Sequence, residues 1–244
     1  MKQVILTIAE NMPLTDSVYR MKLVGDTSGV TECGQFLNIK LEGLFLRRPI
    51  SVCDKEGETL TIIYKVVGKG TEQMSKMCVG ESLDVLTGLG NGYDLSLSGE
   101  RPLLLGGGVG VPPLYMLAKK LVANGRQVSV VLGFNTAGEV FYEDEFIALG
   151  CDVTVTTVDG THGKKGFVTD AFPADYSYFY TCGPEPMLKA VYKNTVTSGQ
   201  MSFEERMGCG FGACMGCSCK TIAGYKRICK DGPVMKKEEI LWED

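Results

Sequence analysis

Four cysteines near the C-terminus, Cys209, Cys214, Cys217 and Cys229, are spaced C-x4-C-x2-C with the fourth further downstream. No other feature restricts the fold as tightly, because the spacing is the ligand pattern of a plant-type [2Fe–2S] cluster. The loop from Gly208 to Cys217 reads G-C-G-F-G-A-C-M-G-C. Small residues let a backbone wrap closely around sulfur, adopt positive φ where needed and aim N–H groups at it. The segment therefore reads as a carrier of single electrons. A zinc ribbon would pair two C-x2-C knuckles, and only one is present. A disulfide framework suits small secreted domains, whereas this chain has 244 residues and an apolar start, Met1–Ala9, too short for a secretory leader. Zinc and plain structural thiols remain the alternatives. Cys219 falls outside the ligand spacing and is expected to be a bystander. Cys33, Cys53, Cys78 and Cys151 are expected to be small core residues of a reduced, cytoplasmic protein.

Hydrophobic residues make up 44% and charged residues 22%, the balance of a soluble globular protein long enough for one large or two ordinary domains. A net charge of −4 argues against nucleic acid as a partner, and no apolar run reaches membrane-span length. His162 is the only histidine, so proton shuttling through imidazole or a His-rich metal site is unlikely to run this chemistry. Cofactors are expected to supply it.

Up to about residue 98 the apolar pattern is short and alternating. Val4–Ala9, Val18–Val24, Phe36–Leu41, Pro49–Cys53 and Thr59–Val67 each read as strands, with one short helix at Thr71–Met77. Together they predict a small antiparallel β-barrel. Near Arg101-Pro102 the texture changes to strand, Gly-rich turn and helix in alternation, which predicts a doubly wound parallel α/β domain. The expected boundaries are 1–98, 99–200 and a small iron–sulfur segment over 201–244. Ligands of such sheets bind at the C-terminal strand ends, where Gly106-Gly107-Gly108-Val109-Gly110 and Cys182-Gly183-Pro184 both fall.

Arg47-Arg48-Pro49-Ile50-Ser51 lies on a barrel strand. An Arg there could neutralise a pyrophosphate, and a Ser hydroxyl could bond a flavin ring nitrogen, although an edge-strand Arg-Pro is also common. Gly68-Lys69-Gly70-Thr71 offers either amides for a second phosphate or an ordinary capped turn. The Gly106–Gly110 loop departs from G-x-G-x-x-G but still admits a dinucleotide, and a tight strand–helix turn is its plain alternative.

In this order, the Arg-x-x-Ser, Gly-Thr, Gly-Gly-Gly-x-Gly and Cys-Gly-Pro motifs resemble the ferredoxin–NADP reductase superfamily. With the four-Cys segment and the ending Cys229-Lys230-Asp231-Gly232-Pro233-Val234, the whole chain is similar to the electron-transfer subunits of class B dihydroorotate dehydrogenases. The resemblance implies an FAD-binding barrel, an NAD-binding α/β domain and a [2Fe–2S] tail. By position, Arg48, Pro49, Ile50, Ser51, Ile63, Tyr64, Lys65, Gly70 and Thr71 would contact FAD. Gly106, Gly108, Gly110, Gly183 and Pro184 would form the nucleotide cleft. Ser51 and Cys182 would stand at the nicotinamide–flavin contact as the catalytic pair. Ile50 stands where many superfamily members carry an aromatic residue.

The implied function passes electrons from a partner's FMN through the cluster and FAD to NAD+, as dihydroorotate is oxidised to orotate in pyrimidine biosynthesis. The implied partner is the FMN-containing catalytic subunit, in a heterotetramer. Alternatives are the small subunit of an NAD(P)H–ferredoxin or sulfide-dehydrogenase-type flavoprotein, a self-sufficient diaphorase, and a zinc-stabilised scaffold. Gly133-Phe134-Asn135 lacks an Arg to grip a 2′-phosphate, which favours NAD over NADP. Lys220, Lys226, Arg227, Lys230, Lys236 and Lys237, against Asp231, are expected to make the tail a basic docking face.

Overall fold

The computed structural model describes residues 1–242. Six strands close an antiparallel barrel: β1 (Lys2–Pro13), β2 (Val18–Gly25), β3 (Phe36–Ile39), β4 (Arg48–Glu56), β5 (Thr59–Lys65) and β6 (Ser82–Leu89), in the order β1-β2-β5-β4-β3-β6. Alternation drives closure, since Val4, Leu6 and Ile8 of β1 point inward between exposed neighbours. They meet Met21, Leu23, Leu37, Ile39, Ile62 and Val85 in one core. The short helix α1 (Lys69–Ser75) inserts Met74 into that core.

A seven-stranded sheet follows, in the order β10-β9-β8-β7-β11-β12-β15. Its strands are β7 (Pro102–Gly107), β8 (Ser129–Phe134), β9 (Asp152–Thr157), β10 (Lys164–Lys165), β11 (Tyr178–Cys182) and β12 (Gly199–Ser202). After a hairpin of β13 (Ser218–Thr221) and β14 (Gly224–Arg227), β15 (Val234–Lys236) returns to the sheet. All neighbours run parallel except β15, which pairs antiparallel with β12. β7 and β11 are buried along their whole length, as central strands covered on both faces must be. The sheet thus takes strands from both sides of the boundary expected near residue 200. β12 and β15 were not legible as strands, because they are four residues or fewer and borrow their order from neighbours.

Three helices flank the sheet: α2 (Pro112–Ala123), α3 (Glu143–Ala148) and α4 (Glu185–Asn194). Leu114, Leu117, Ala118 and Leu121 form one buried stripe on α2. They share a core with Cys33, Cys53 and Ile63 of the barrel, so the two domains are packed together. Lys119 of α2 also donates to Asp54 of β4 at 2.9 Å across the same contact. β4 consequently runs from Arg48–Ser51 at one end to the domain junction at the other. No helix among the described residues is long and apolar enough to cross a membrane.

Candidate redox and nucleotide site

Arg48, Pro49, Ile50 and Ser51 occupy the half-buried start of β4, paired with β3. A Cβ at Gly70 would lie 2.2 Å from Arg48 Nε, so the bare backbone of α1 rests against the guanidinium. A guanidinium held against bare backbone in this way is a cation placed to meet a phosphate group. Thr71 serves the turn itself: its hydroxyl accepts from Val67 N at 3.0 Å and donates to Gly68 O at 3.1 Å. Ile63 and Tyr64 are buried, and the Tyr64 hydroxyl donates to Asn11 at 2.9 Å. Their side chains belong to the core, which leaves only their backbone to meet a ligand.

A cleft of about 670 Å³ opens at the C-terminal ends of β7, β8 and β11. Gly108, Gly110, Gly183, Pro184 and Lys65 line it. A Cβ at Gly110 would stand 2.3 Å from Cys182 O, so the two Gly-rich turns touch backbone to backbone. Gly106 is buried beneath Val111 and Leu114 of the α2 turn and does not line the cleft. Cys182 is 2% exposed, and burial, with Glu204 adding to it, pushes its thiol well above the ordinary range. Ser51 lies on β4 opposite Phe36, and Cys182 ends β11.

Two acidic residues in the cleft escaped the sequence reading. Glu204 keeps an exposed face within the concave wall, and the crowding of protein around it raises its carboxyl. Glu139 accepts from Asn135 N at 3.1 Å and Asn135 Nδ2 at 2.8 Å, and lies 3.9 Å from Lys65 Nζ. The signal for Glu139 was an acid just past the second sheet strand, where a ribose-binding carboxylate belongs.

The four cysteine sulfurs fall in two pairs. Cys209 and Cys214 exchange backbone contacts, with Cys214 N 3.5 Å from Cys209 Sγ and Cys209 N 3.5 Å from Cys214 Sγ. The Cys217 thiol donates to Cys229 Sγ at 3.3 Å. Further amides converge: Ala213 N on Cys209 Sγ at 3.2 Å, Gly216 N on Cys214 Sγ at 3.5 Å and Cys229 N on Cys217 Sγ at 3.5 Å. Burial opposes ionisation of Cys209, but the amides of Phe211, Cys214 and Ala213 overcome it and bring the thiol down to about 6. Burial and the adjacent Cys217 push Cys229 up to about 12. Two sulfur pairs wrapped in N–H donors fit a two-iron cluster. Among the described residues, no three His, Cys, Asp or Glu side chains converge as a single metal ion requires. Cys219 sits on β13 opposite Lys226, outside both pairs.

The cations of the basic tail divide in two. Lys226 pairs with Glu239 at 2.7 Å, Arg227 with Asp231 at 3.0 Å, and Lys237 donates to Thr195 O at 2.6 Å. These three cations are tied within the protein, while Lys220, Lys230 and Lys236 of the same stretch are exposed. The segment also exposes Phe211, Met215, Ile222 and Tyr225.

The fold and its paired cysteines define a ferredoxin-reductase-like oxidoreductase with an iron–sulfur tail. A family model described as the iron–sulfur cluster binding domain of dihydroorotate dehydrogenase B matches residues 204–241, and one described as an oxidoreductase NAD-binding domain matches 104–193. The chain is 46% identical to the dihydroorotate dehydrogenase B (NAD(+)) electron transfer subunit of Bacillus pumilus (strain SAFR-032), over 98% of each chain. It is 45% identical to the subunit of that name from Fusobacterium nucleatum, over 96% of each. A solved NADH-dependent reduced ferredoxin–NADP oxidoreductase matches with a TM-score of 0.88 and 30% identity, over 98% of this chain and 90% of that one. The chain belongs to the family of dihydroorotate dehydrogenase B electron transfer subunits.

Proposed function

We infer that this chain is the NAD-linked electron-transfer subunit of a dihydroorotate-oxidising complex in pyrimidine biosynthesis. The observation that carries the reading is the two-pair cysteine site on the same chain as a nucleotide cleft, within a family of that name. When bound, FAD supplies conversion between hydride and single-electron transfer, and the [2Fe–2S] cluster supplies the one-electron relay.

The residues divide that work. Residues 1–98 hold FAD, with Arg48 at the pyrophosphate, Pro49, Ile50 and Ser51 along the flavin, the backbone of Ile63, Tyr64 and Lys65 beside them, and Gly70 and Thr71 closing the turn. Residues 99–200 receive NAD between Gly108, Gly110, Gly183 and Pro184, while Gly106 keeps the first turn tight. Ser51 and Cys182 flank the place where nicotinamide meets flavin. Residues 201–244 hold the cluster through Cys209, Cys214, Cys217 and Cys229, whose protons the metal would displace on binding.

The organic substrate is oxidised on a partner, an FMN-containing catalytic subunit, in a heterotetramer. The exposed Phe211 and Met215 beside the cluster ligands suit a partner that must bring its own redox centre close. Ten free cysteines suit the cytoplasm. The ferredoxin–NADP oxidoreductase likeness, at 30% identity against 46%, is the weaker alternative.

Coexpression with the FMN subunit and size exclusion tests this directly. The expected product is a coloured complex that reduces NAD+ with dihydroorotate. A chain with its cluster intact that ignores that subunit overturns the reading.

A further inference from the structure

Strand β3 is the wall between the flavin strand and the cysteine loop. On one side its residues Phe36, Leu37 and Asn38 pair with Ser51, Ile50 and Pro49 of β4, the positions assigned to the flavin. On the other side Phe36 packs in one buried core with Cys217, Ile228 and Cys229. Asn38 faces the second cysteine pair: its Nδ2 donates to Cys209 O at 3.0 Å.

Three observations make this contact a constructed one. Asn38 is 1% exposed, and its backbone is held by β4, by Leu86 of β6 and by Arg47, which donates to Asn38 O at 3.3 Å. The loop comes down onto it at Gly210, where φ is +77° and a Cβ would lie 2.3 Å from Asn38 Nδ2. Asn38 Oδ1 is buried without a hydrogen-bond partner, an arrangement that costs stability and that an apolar side chain would avoid. The amide is therefore in place for its one bond, to the backbone of a cluster ligand.

We propose that Asn38 is a positioning residue that ties the Cys209 end of the cluster loop to the flavin strand and so governs electron exchange between the two centres. This rests on the FAD and [2Fe–2S] assignment above. Each exchange carries one electron, oxidising the donor centre and reducing the acceptor, with no proton crossing the contact. Asn38 does not touch the nucleotide cleft, so hydride transfer between NADH and the flavin is independent of it.

The test uses the complex purified with its catalytic subunit, mixed anaerobically with NADH. Flavin absorbance reports the hydride step, and freeze-quenched EPR reports arrival of the electron at the cluster. Asn38→Leu keeps the branched shape and removes the donor. It should leave flavin bleaching at the wild-type rate, slow the cluster signal about tenfold, the scale of one lost hydrogen bond, and shift the cluster's g-values. Should Asn38→Leu lose its cofactors through crowding, Asn38→Ala removes the donor without added bulk and carries the same expectation. Unchanged cluster reduction in the variants overturns the proposal. Equal slowing of both steps, or loss of flavin and cluster together from Asn38→Ala, shows a general folding role and overturns it as well. A wild-type complex without flavin or cluster spectra instead overturns the underlying assignment.

Discussion

The nucleotide cleft and the cysteine loop both bring backbone amides close to a charged group, but they are stabilised in opposite ways. The cleft stands on β7 and β11, strands buried end to end, and its two turns touch at Gly110 and Cys182. The cysteine segment has one four-residue hairpin and a small core of Phe36, Leu86, Leu89, Ile228 and Met235 around its inner ligands. Its outer ligand Cys214 is exposed, and the loop around it is held by N–H to sulfur contacts and by single bonds such as Arg227 to Gly212 O. A site built on a sheet survives loss of its ligand, whereas a site built on a loop draws its folding energy from the metal.

The largest expected effect follows from that contrast. Cys229→Ser removes an inner ligand and should abolish the cluster, leaving the tail open to proteolysis while NADH binding persists. Iron content, EPR and limited proteolysis read this together. A Cys229→Ser chain with normal iron would break the comparison.

The converse substitution attacks the rigid site. Gly110→Ala places a methyl 2.3 Å from a carbonyl oxygen that the sheet cannot move. Overpacking of this kind costs ~1–3 kcal/mol, here at the upper end. NADH affinity should fall at least ~tenfold, since each such factor is only ~1.4 kcal/mol. The cluster should stay intact. Calorimetric titration and the visible spectrum separate the two outcomes, and wild-type affinity would show that the turns are not in tight contact.

The same contrast explains what could be read in advance. The four cysteines are close in sequence, so spacing alone pointed to the segment that the iron–sulfur family model matches. The strand–glycine–helix alternation around Pro102–Gly110 was equally legible, because period and turn chemistry are local. Asn38 was not, since its partner Cys209 lies 171 residues away. Glu139 carried only a positional hint, and the pairing of Lys226 was not visible because Glu239 lies beyond the stretch that was counted. Pairing across the fold decides whether a lysine is a docking charge or a strut.

A smaller effect sharpens the account of nucleotide choice. Glu139 is fixed by two bonds from Asn135 in the cleft wall, where a ribose diol would donate to it and a 2′-phosphate would be repelled. Glu139→Gln should raise the kcat/KM ratio of NADPH to NADH about tenfold, a size set by removing one like-charge contact. Steady-state reduction of an artificial acceptor measures the ratio. An unchanged ratio would place the discrimination elsewhere.

The smallest expected effect is at Cys219, two residues beyond Cys217. It lies within the β13–β14 ladder opposite Lys226, half-buried against the inner ligand core, and lines a separate cavity of about 420 Å³ beside Trp242. The ladder fixes its backbone, so it could replace a lost ligand only by unpairing the hairpin. Cys219→Ser should therefore keep full iron content and an unaltered EPR signal, with a stability loss within ~1 kcal/mol. Loss of the cluster from Cys219→Ser, with Cys229→Ser retaining it, would reassign the inner sulfur pair and remove the basis for ranking the two regions by their dependence on metal.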